Sequence, residues 1–440
     1  MRTSNQKIVK EQAKFDNLYP DYLKVLNKLI SSYPVSDGSG FEDLVNFKTN
    51  KLSPKHGWYI YKQGYGERLV KSIIDTECPS KDLPVLDPFC GVGTTNLAAQ
   101  AMGFRSIGFD INPLAILATR VKTHCFTQEE IVEIDLRLHS FELPIEAFKG
   151  DFGKVIETSF EPDILNTLLR IRQYVEDIKN EYVCKFFRLA LVCIIDDCSV
   201  KVKDGNGLKF KKNYKRIPDL VEHYLSKVRG MRKDIDVANY QPECKTIFGS
   251  MMDSSTFSQI SDEEIGLCVF SPPYANCFDY CEVYKLELWI GGFVENYDDF
   301  ERYRSLAMRS HVNSKFDHKI TNQNADVDLI ADLVSTFNIW NKNIPDMLRG
   351  YFDDMEKLLK HIVTVLSAGA KCFIVVANSG YKGILVPTDL LIADIAKKMG
   401  FKVNAIYKAR KIRSSSQQMK VLNDDYDQLM RESVIELQKP

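Results

Sequence analysis

The chain has 440 residues, 45% apolar and 27% charged, with a net charge of −1. Such composition is ordinary for a globular protein, and the length suits two domains, or one large α/β domain with insertions and a substantial core. A charge so close to zero excludes a uniformly basic nucleic-acid-coating protein, although a local basic groove is enough to engage phosphates. Eleven cysteines are scattered without CxxC spacing, so reduced thiols and no metal site are expected. The polar N-terminus and the lack of any apolar run of membrane-spanning length predict a soluble, cytoplasmic protein with no membrane partner.

Residues 1–50 read as an N-terminal helical segment, with Tyr22, Leu23, Val25, Leu26, Leu29 and Ile30 at helical spacing. Residues 51–126 carry the first part of an α/β core: a strand-loop-helix at 83–102 and a second short strand near 105–110. From 127 to 243 the pattern turns helical, with apolar stripes at Leu165, Leu168, Leu169, Ile171 and Val175, and again from Phe186 to Cys193. This stretch reads as a helical insertion. Residues 244–440 return to the core, with strand-like runs at 245–249, 265–270, 371–377, Phe401–Lys408 and Ser433–Leu437. They also hold a polar insertion at about 295–345, and a helix from Asp389 to Lys398 stopped by Gly400. Strands alternating with helices predict a mostly parallel sheet covered on both faces, its last two strands forming an antiparallel edge.

Leu83, Val85 and Leu86 are a buried-strand signal that ends at Asp87. Gly91 and Gly93 then allow a sharp turn and close approach to a ligand at the carboxyl edge of the sheet. The next strand, Ser106 to Phe109, delivers Asp110, placed as acidic residues that take the ribose hydroxyls of adenosyl cofactors are. A ligand-free turn and a dinucleotide site are the alternatives; Asn96 stands where a third dinucleotide-type glycine would, and no Gly-Lys-Ser/Thr follows. A further buried strand, Ile265 to Phe270, ends in Ser271-Pro272-Pro273-Tyr274. Two prolines cannot continue a strand ladder, and they fix a rigid loop at the same edge of the sheet.

Asp87-Pro88-Phe89-Cys90-Gly91-Val92-Gly93-Thr94-Thr95, Gly108-Phe109-Asp110-Ile111-Asn112-Pro113 and Ser271-Pro272-Pro273-Tyr274 together resemble the motifs of the amino-group DNA methyltransferases. The resemblance implies a Rossmann-like class I methyltransferase fold with a mostly parallel seven-stranded sheet. It implies S-adenosylmethionine as cofactor, with a backbone cradle for the methionine part at Phe89, Gly91 and Gly93, Asp110 on the ribose, and Asp87, Cys90, Thr94, Thr95 and Ile111 also binding the cofactor. The aromatic segment Gly57–Tyr65 looks like the family's pocket-lining stretch and contributes Tyr61. The position that in relatives often carries an acid for the adenine amine is Ser250 here, with Asp253 as a substitute. Ser-Pro-Pro-Tyr rather than Asp-Pro-Pro-Tyr is similar to the cytosine-N4 branch, and the chain has no Pro-Cys pair for cytosine-C5 chemistry. Asp204–Phe210, Ala377–Gly383, Arg413–Gln418 and Arg431–Ser433 extend the likeness over most of the chain.

The chemistry asks for these residue types. An exocyclic base amine is a poor nucleophile, because its lone pair is delocalised into the ring. Acceptors aimed at its N–H groups, here the Ser271 hydroxyl and a carbonyl of Pro272 or Pro273, draw the nitrogen towards tetrahedral geometry. Tyr274 is expected to stack on a base flipped out of double-stranded DNA. Between Lys201 and Arg216 lie seven basic residues (Lys201, Lys203, Lys209, Lys211, Lys212, Lys215, Arg216) against one acid, Asp204. This run reads as a phosphate-contacting surface, or else as a solvated loop. Arg302, Tyr303, Arg304, Arg309, Ser310 and His311 form a weaker second candidate. The reading is a DNA methyltransferase acting on cytosine N4, in a restriction-modification or defence setting with a cognate endonuclease as candidate partner. Adenine-N6 methylation, RNA amino-group methylation and a non-catalytic DNA-recognition subunit are the alternatives.

Overall fold

The computed structural model describes residues 2–61, 64–77, 79–205, 207–235, 241–313, 319–412 and 429–440, with side chains from residue 12 onward apart from Ser39. Lys62, Gln63, Asn206 and the Arg413–Gln418 run therefore lie outside the described residues. The strands are β1 (Val35–Asp37), β2 (Val85–Asp87), β3 (Ser106–Asp110), β4 (Lys201–Asp204), β5 (Gly207–Phe210), β6 (Cys244–Phe248), β7 (Ile265–Phe270), β8 (Leu366–Ala377), β9 (Ser379–Tyr381), β10 (Ile384–Val386), β11 (Lys402–Lys411) and β12 (Arg431–Gln438). Eight of them form one sheet in the order β1-β11-β12-β8-β7-β2-β3-β6. Every neighbouring pair is parallel except those made by β12, which runs antiparallel to both β8 and β11. This is the Rossmann-like class I methyltransferase fold, with one strand more than the expected seven.

The additional strand is β1, from the segment read as helical. Its helix runs from Arg2 to Ser32, after which three residues pair with Ile406–Lys408. Three residues are too few to show a period of two in a sequence. The closing pair β11 and β12 is antiparallel as expected, but it is not the edge, because β12 lies inside the sheet and β1 covers β11. Two small hairpins, β4–β5 and β9–β10, were not signalled by the sequence pattern.

Alternate residues of the central strands enter opposite cores. Cys268, Phe270, Ile374 and Val376 pack with the helices Ile344–Val365 and Thr388–Lys398 on one face. Leu267, Val269, Phe373 and Val375 pack with Glu67–Glu77 and Thr94–Ala101 on the other. Burial on both faces is why these strands read as continuous apolar runs. Between residues 127 and 235 the helices Gln128–His139, Pro162–Glu176, Glu181–Cys198 and Leu220–Lys233 share a third core with Pro113–Thr123 and with Trp58 and Tyr59.

The polar stretch near 295–345 contains the helices Tyr297–Leu306 and Ala325–Ser335. Two of its arginines are not DNA-facing. Arg309 is buried, with Nε 3.1 Å from both Asp354 carboxylate oxygens and Nη2 directed at Asp353. Asp353 also accepts from Thr321 Oγ1 at 2.7 Å and from the Asn322 amide at 2.8 Å. Burial works against this charge, yet Lys357, Thr321 and Arg309 hold the carboxyl well below the usual carboxylate range. Arg304 is likewise buried against Asp279 and Glu282, each at 2.9 Å. A positive run in sequence says nothing about acids delivered from Asp279 or from the helix Ile344–Val365. Removing one partner of a buried ion cluster strands the others. Arg309→Ala is expected to lower unfolding stability by about 3–5 kcal/mol, measured by denaturant titration.

Candidate active site

The chain passes from β2 to β3 and β6 on one side of the sheet, then crosses to β7 and β8 on the other. The strand order therefore reverses between β2 and β7, which is where open α/β sheets form a crevice at their carboxyl ends. A cleft enclosing about 1040 Å³, its open mouth included, lies there. The loops after β2, β3, β6 and β7 all line it.

The β2 loop turns through Gly91 at φ +51° and Gly93 at φ +80°. A Cβ on Gly93 would sit 2.9 Å from the Thr119 side chain, so this glycine is required by close packing as well as by its left-handed φ. Asp87 is buried; Oδ1 accepts from the Phe89 amide at 3.0 Å and Oδ2 from the Tyr65 hydroxyl at 2.9 Å. That hydroxyl also meets Thr95 Oγ1, and Thr95 faces the Val269 carbonyl of β7 at 3.4 Å. Asp110 accepts from the Gly91 amide at 2.9 Å and from the Asn112 amide at 2.8 Å, one per oxygen. Burial pushes the Asp87 carboxyl up to about 7 and the Asp110 carboxyl up to about 6, in each case against hydrogen bonds that favour the charged form.

One wall is aromatic. Tyr61 stacks on Tyr284 with ring centroids 4.6 Å apart, and Tyr280 lies on its other flank at 6.4 Å. Opposite stand Ser271, Pro272 and Pro273, and the segment from Leu306 to His311 closes one side. The β7 loop is braced from behind. Tyr381 of β9 donates to the Ala275 carbonyl at 2.7 Å, and Tyr274 donates to Glu432 of β12 at 2.7 Å. Cys277 follows at φ +66°, a left-handed turn made by a buried side chain.

Of the residues singled out from sequence, Tyr61, Asp87, Phe89, Cys90, Gly91, Thr94, Asp110, Ile111, Ser250, Ser271, Pro272 and Pro273 line this one cleft. Gly93, Thr95 and Tyr274 stand behind it, shaping the two loops. Asp253 is not at the cleft: its carboxylate caps a short helix, accepting from the Ser255 and Thr256 amides. Ser250 keeps the cleft position, its hydroxyl accepting from the Met252 amide at 3.2 Å. Ser310 and His311, expected in a DNA-facing segment, are buried and line the cleft instead, and sequence reasoning missed Asn112, Met252, Tyr280 and Met308 as lining residues. Of these, only Tyr280, shortly after the proline pair, carried a signal that could have been followed.

The basic run divides. Lys203 is buried, paired with Glu287 and with Asp196 at 2.9 Å, and set 4.2 Å over the Tyr284 ring. It props the aromatic wall and does not face DNA. Burial opposes its charge, but Glu287 and Asp196 outweigh that and raise its pKa, while burial raises Glu287. Lys201 donates to the Val155 carbonyl at 3.3 Å and to Thr158 at 3.0 Å, and Lys211 donates to the Asp196 carbonyl at 2.7 Å. Lys209 pairs with Asp204 at 2.8 Å, and Arg216 with Glu161 at 2.8 Å and with Asp163. Lys212 and Lys215 are exposed. The hairpin alternates, and sequence alone did not say which of its faces turns inward.

Among the described residues no group of three or more His, Cys, Asp or Glu side chains could hold a metal ion, and no helix is long and apolar enough to cross a membrane. The described cysteines are free thiols.

The fold and the paired loops define a methyltransferase. A family model described as DNA methylase matches residues 3–119. The chain is 27% identical to the type II methyltransferase M.BsoBI of Geobacillus stearothermophilus, over 86% of this chain and 84% of that one. It is 25% identical to the type II methyltransferase M.AvaI of Nostoc, over 82% of each chain. It is 23% identical to the type II methyltransferase M.MvaI of Kocuria varians, over 86% of this chain and 87% of that one. The matched model and these relatives support an amino-group DNA methyltransferase family for this chain.

That family implies S-adenosylmethionine as methyl donor, and the residues present suit it. Asp110 Oδ1 and Oδ2 each accept from a backbone amide, of Asn112 and of Gly91, and a carboxylate's further acceptor sites suit ribose hydroxyls. The Asp87 charge lies on the same cleft and favours a cationic ligand. Both carboxyls must be ionised to act so. Cofactor affinity is therefore expected to be highest above about pH 7 and to fall as pH drops through about 7 and 6, measured by titration calorimetry. Ordinary aspartates would keep the affinity down to about pH 4. Asp110→Asn should weaken binding roughly ten- to hundredfold and remove the lower step.

Proposed function

We propose that this protein methylates the N4 amine of cytosine in double-stranded DNA, at a specific sequence, as the modification enzyme of a type II system. The observation that carries this reading is that Ser271-Pro272-Pro273 and the two aspartates Asp87 and Asp110 line a single cleft. The relatives' description as type II methyltransferases supports the setting, and serine at the head of the loop supports the base. Cytosolic action beside a cognate endonuclease belongs to the same proposal.

When bound, S-adenosylmethionine supplies an electrophilic methyl group on its sulfonium. The protein's part is positional, as it is in transfers that need no covalent enzyme intermediate. Asp110 and the glycine turn orient the donor, and the aromatic wall of Tyr61 and Tyr280 narrows the cleft. Ser271 Oγ and a carbonyl of the proline pair accept hydrogen bonds from the target amine, whose lone pair is thereby freed from conjugation. The base reaches them only outside the duplex, at an unstacking cost of about a few kcal/mol. Tyr274, placed directly after the prolines, lends a ring at the back of the loop. In this reading Lys212 and Lys215 meet the DNA backbone, and residues 127–243 act as the DNA-contacting insertion.

Incubation of the protein with labelled cofactor and duplex DNA, followed by nucleoside mass spectrometry, should yield N4-methylcytosine. N6-methyladenine would overturn the base assignment, and unlabelled DNA under conditions where the cofactor binds would overturn the enzyme assignment. Ser271→Ala should lower turnover roughly a hundredfold with cofactor affinity intact. Lys212→Ala and Lys215→Ala should each reduce the salt slope of DNA binding by about 1, while Lys203→Ala should instead lower the melting temperature.

A further inference from the structure

A hydroxyl is an ambiguous choice for the task given to Ser271, since it both donates and accepts, whereas an amine N–H needs an acceptor. The surroundings of Ser271 resolve the ambiguity. Ser271 Oγ donates to Tyr274 Oη at 3.5 Å, and Tyr274 Oη donates to Glu432 Oε1 at 2.7 Å. The other oxygen of Glu432 accepts from Arg410 Nε at 2.6 Å. Glu432 is buried on β12, between Ala377 of β8 and Arg410 of β11, so its place is set by the sheet.

The direction of this chain is fixed at its far end. An ionised carboxylate has no proton to give, so the single proton of Tyr274 must point to Glu432. Burial and the Glu432 charge also hold the Tyr274 hydroxyl well above its ordinary pKa, which keeps the proton on the phenol. The phenol oxygen is then left as an acceptor facing Ser271, and the one proton of Ser271 turns towards it. Both lone pairs of Ser271 Oγ remain for the cleft.

We propose that Glu432, acting through Tyr274, is a positioning residue that holds the Ser271 hydroxyl as a hydrogen-bond acceptor for the target amine. The proposal rests on the methyl-transfer reading above. It gives Tyr274 a role its ring alone would not have, and it gives one to a glutamate on the antiparallel strand, far in sequence from the loop. It also supplies what a serine needs in a position where an aspartate would carry its own acceptor.

The test uses the full-length protein with duplex DNA and S-adenosylmethionine. Tyr274→Phe keeps the ring and removes the link. Its kcat should fall about tenfold, the net worth of one hydrogen bond, while KM for DNA and cofactor affinity stay within about twofold. Glu432→Gln, whose amide can donate as well as accept, should also lower kcat, and the double variant should be no slower than Tyr274→Phe alone. Wild-type kcat in Tyr274→Phe, or losses that multiply in the double variant, would overturn the relay. Should Glu432→Gln fail to fold, Tyr274→Phe decides alone. A wild-type protein that transfers no methyl to DNA sinks the underlying functional reading, an outcome distinct from either.

Discussion

The pairing of β2 with β7 covers only Val85 with Leu267 and Leu86 with Cys268, yet the site depends on it. It is the one place where a strand of the first half of the sheet lies beside a strand of the second, and each ends in a functional loop. The Tyr65 hydroxyl carries the connection beyond the last paired residues, meeting Asp87 and Thr95 from the β2 side, with the Val269 carbonyl of β7 at 3.4 Å. Donor loop and acceptor loop are therefore joined through buried polar contacts, and a shift in one is transmitted to the other. Such networks are rigid only when fully satisfied, which is what places these groups out of water.

What could be read from the sequence was what local physics determines. The strands at 265–270 and 371–377 appear where apolar runs placed them, because sheets buried on both faces leave that imprint, while the one near 245–249 is the sheet's half-exposed edge. The glycine turn was legible because Gly91 and Gly93 need conformations that side chains rarely adopt. Asp87, Asp110 and Ser271 were legible as strand ends. The rest depends on partners far away in the chain. Lys203 looked like its basic neighbours until Glu287 and Asp196 were seen beneath it. Arg309 looked exposed until Asp353 and Asp354 enclosed it. Asp253 had an acid's chemistry but a cap's position. Glu432 carried no local signal of a link to Tyr274, since strand β12 reaches the loop only through the sheet.

The aromatic wall and the β4–β5 hairpin belong together in a similar way. Lys203 lies over Tyr284, Tyr284 stacks on Tyr61, and Tyr61 lines the cleft. A cation on one side of this stack and the cleft on the other give the hairpin a mechanical path to the site, although none of its described residues lines the cleft. Aromatic stacking and cation–π contact are each modest, about 0.5–1.5 kcal/mol, so the wall is held by the sum.

The edge strand β1 has a bearing on how the protein comes into being. Val35 hydrogen-bonds into the sheet beside Ile406, so the two partners are separated by roughly 370 positions of chain. On a ribosome that makes about 5–20 residues per second, the first strand waits tens of seconds for its neighbour. Until then the helix Arg2–Ser32, whose Tyr22, Leu26 and Leu29 belong to the main core, has no finished surface to dock on. The cofactor half of the sheet can assemble during synthesis, but the edge opposite β6 is sealed only once β11 has been made, by a segment synthesised long before it.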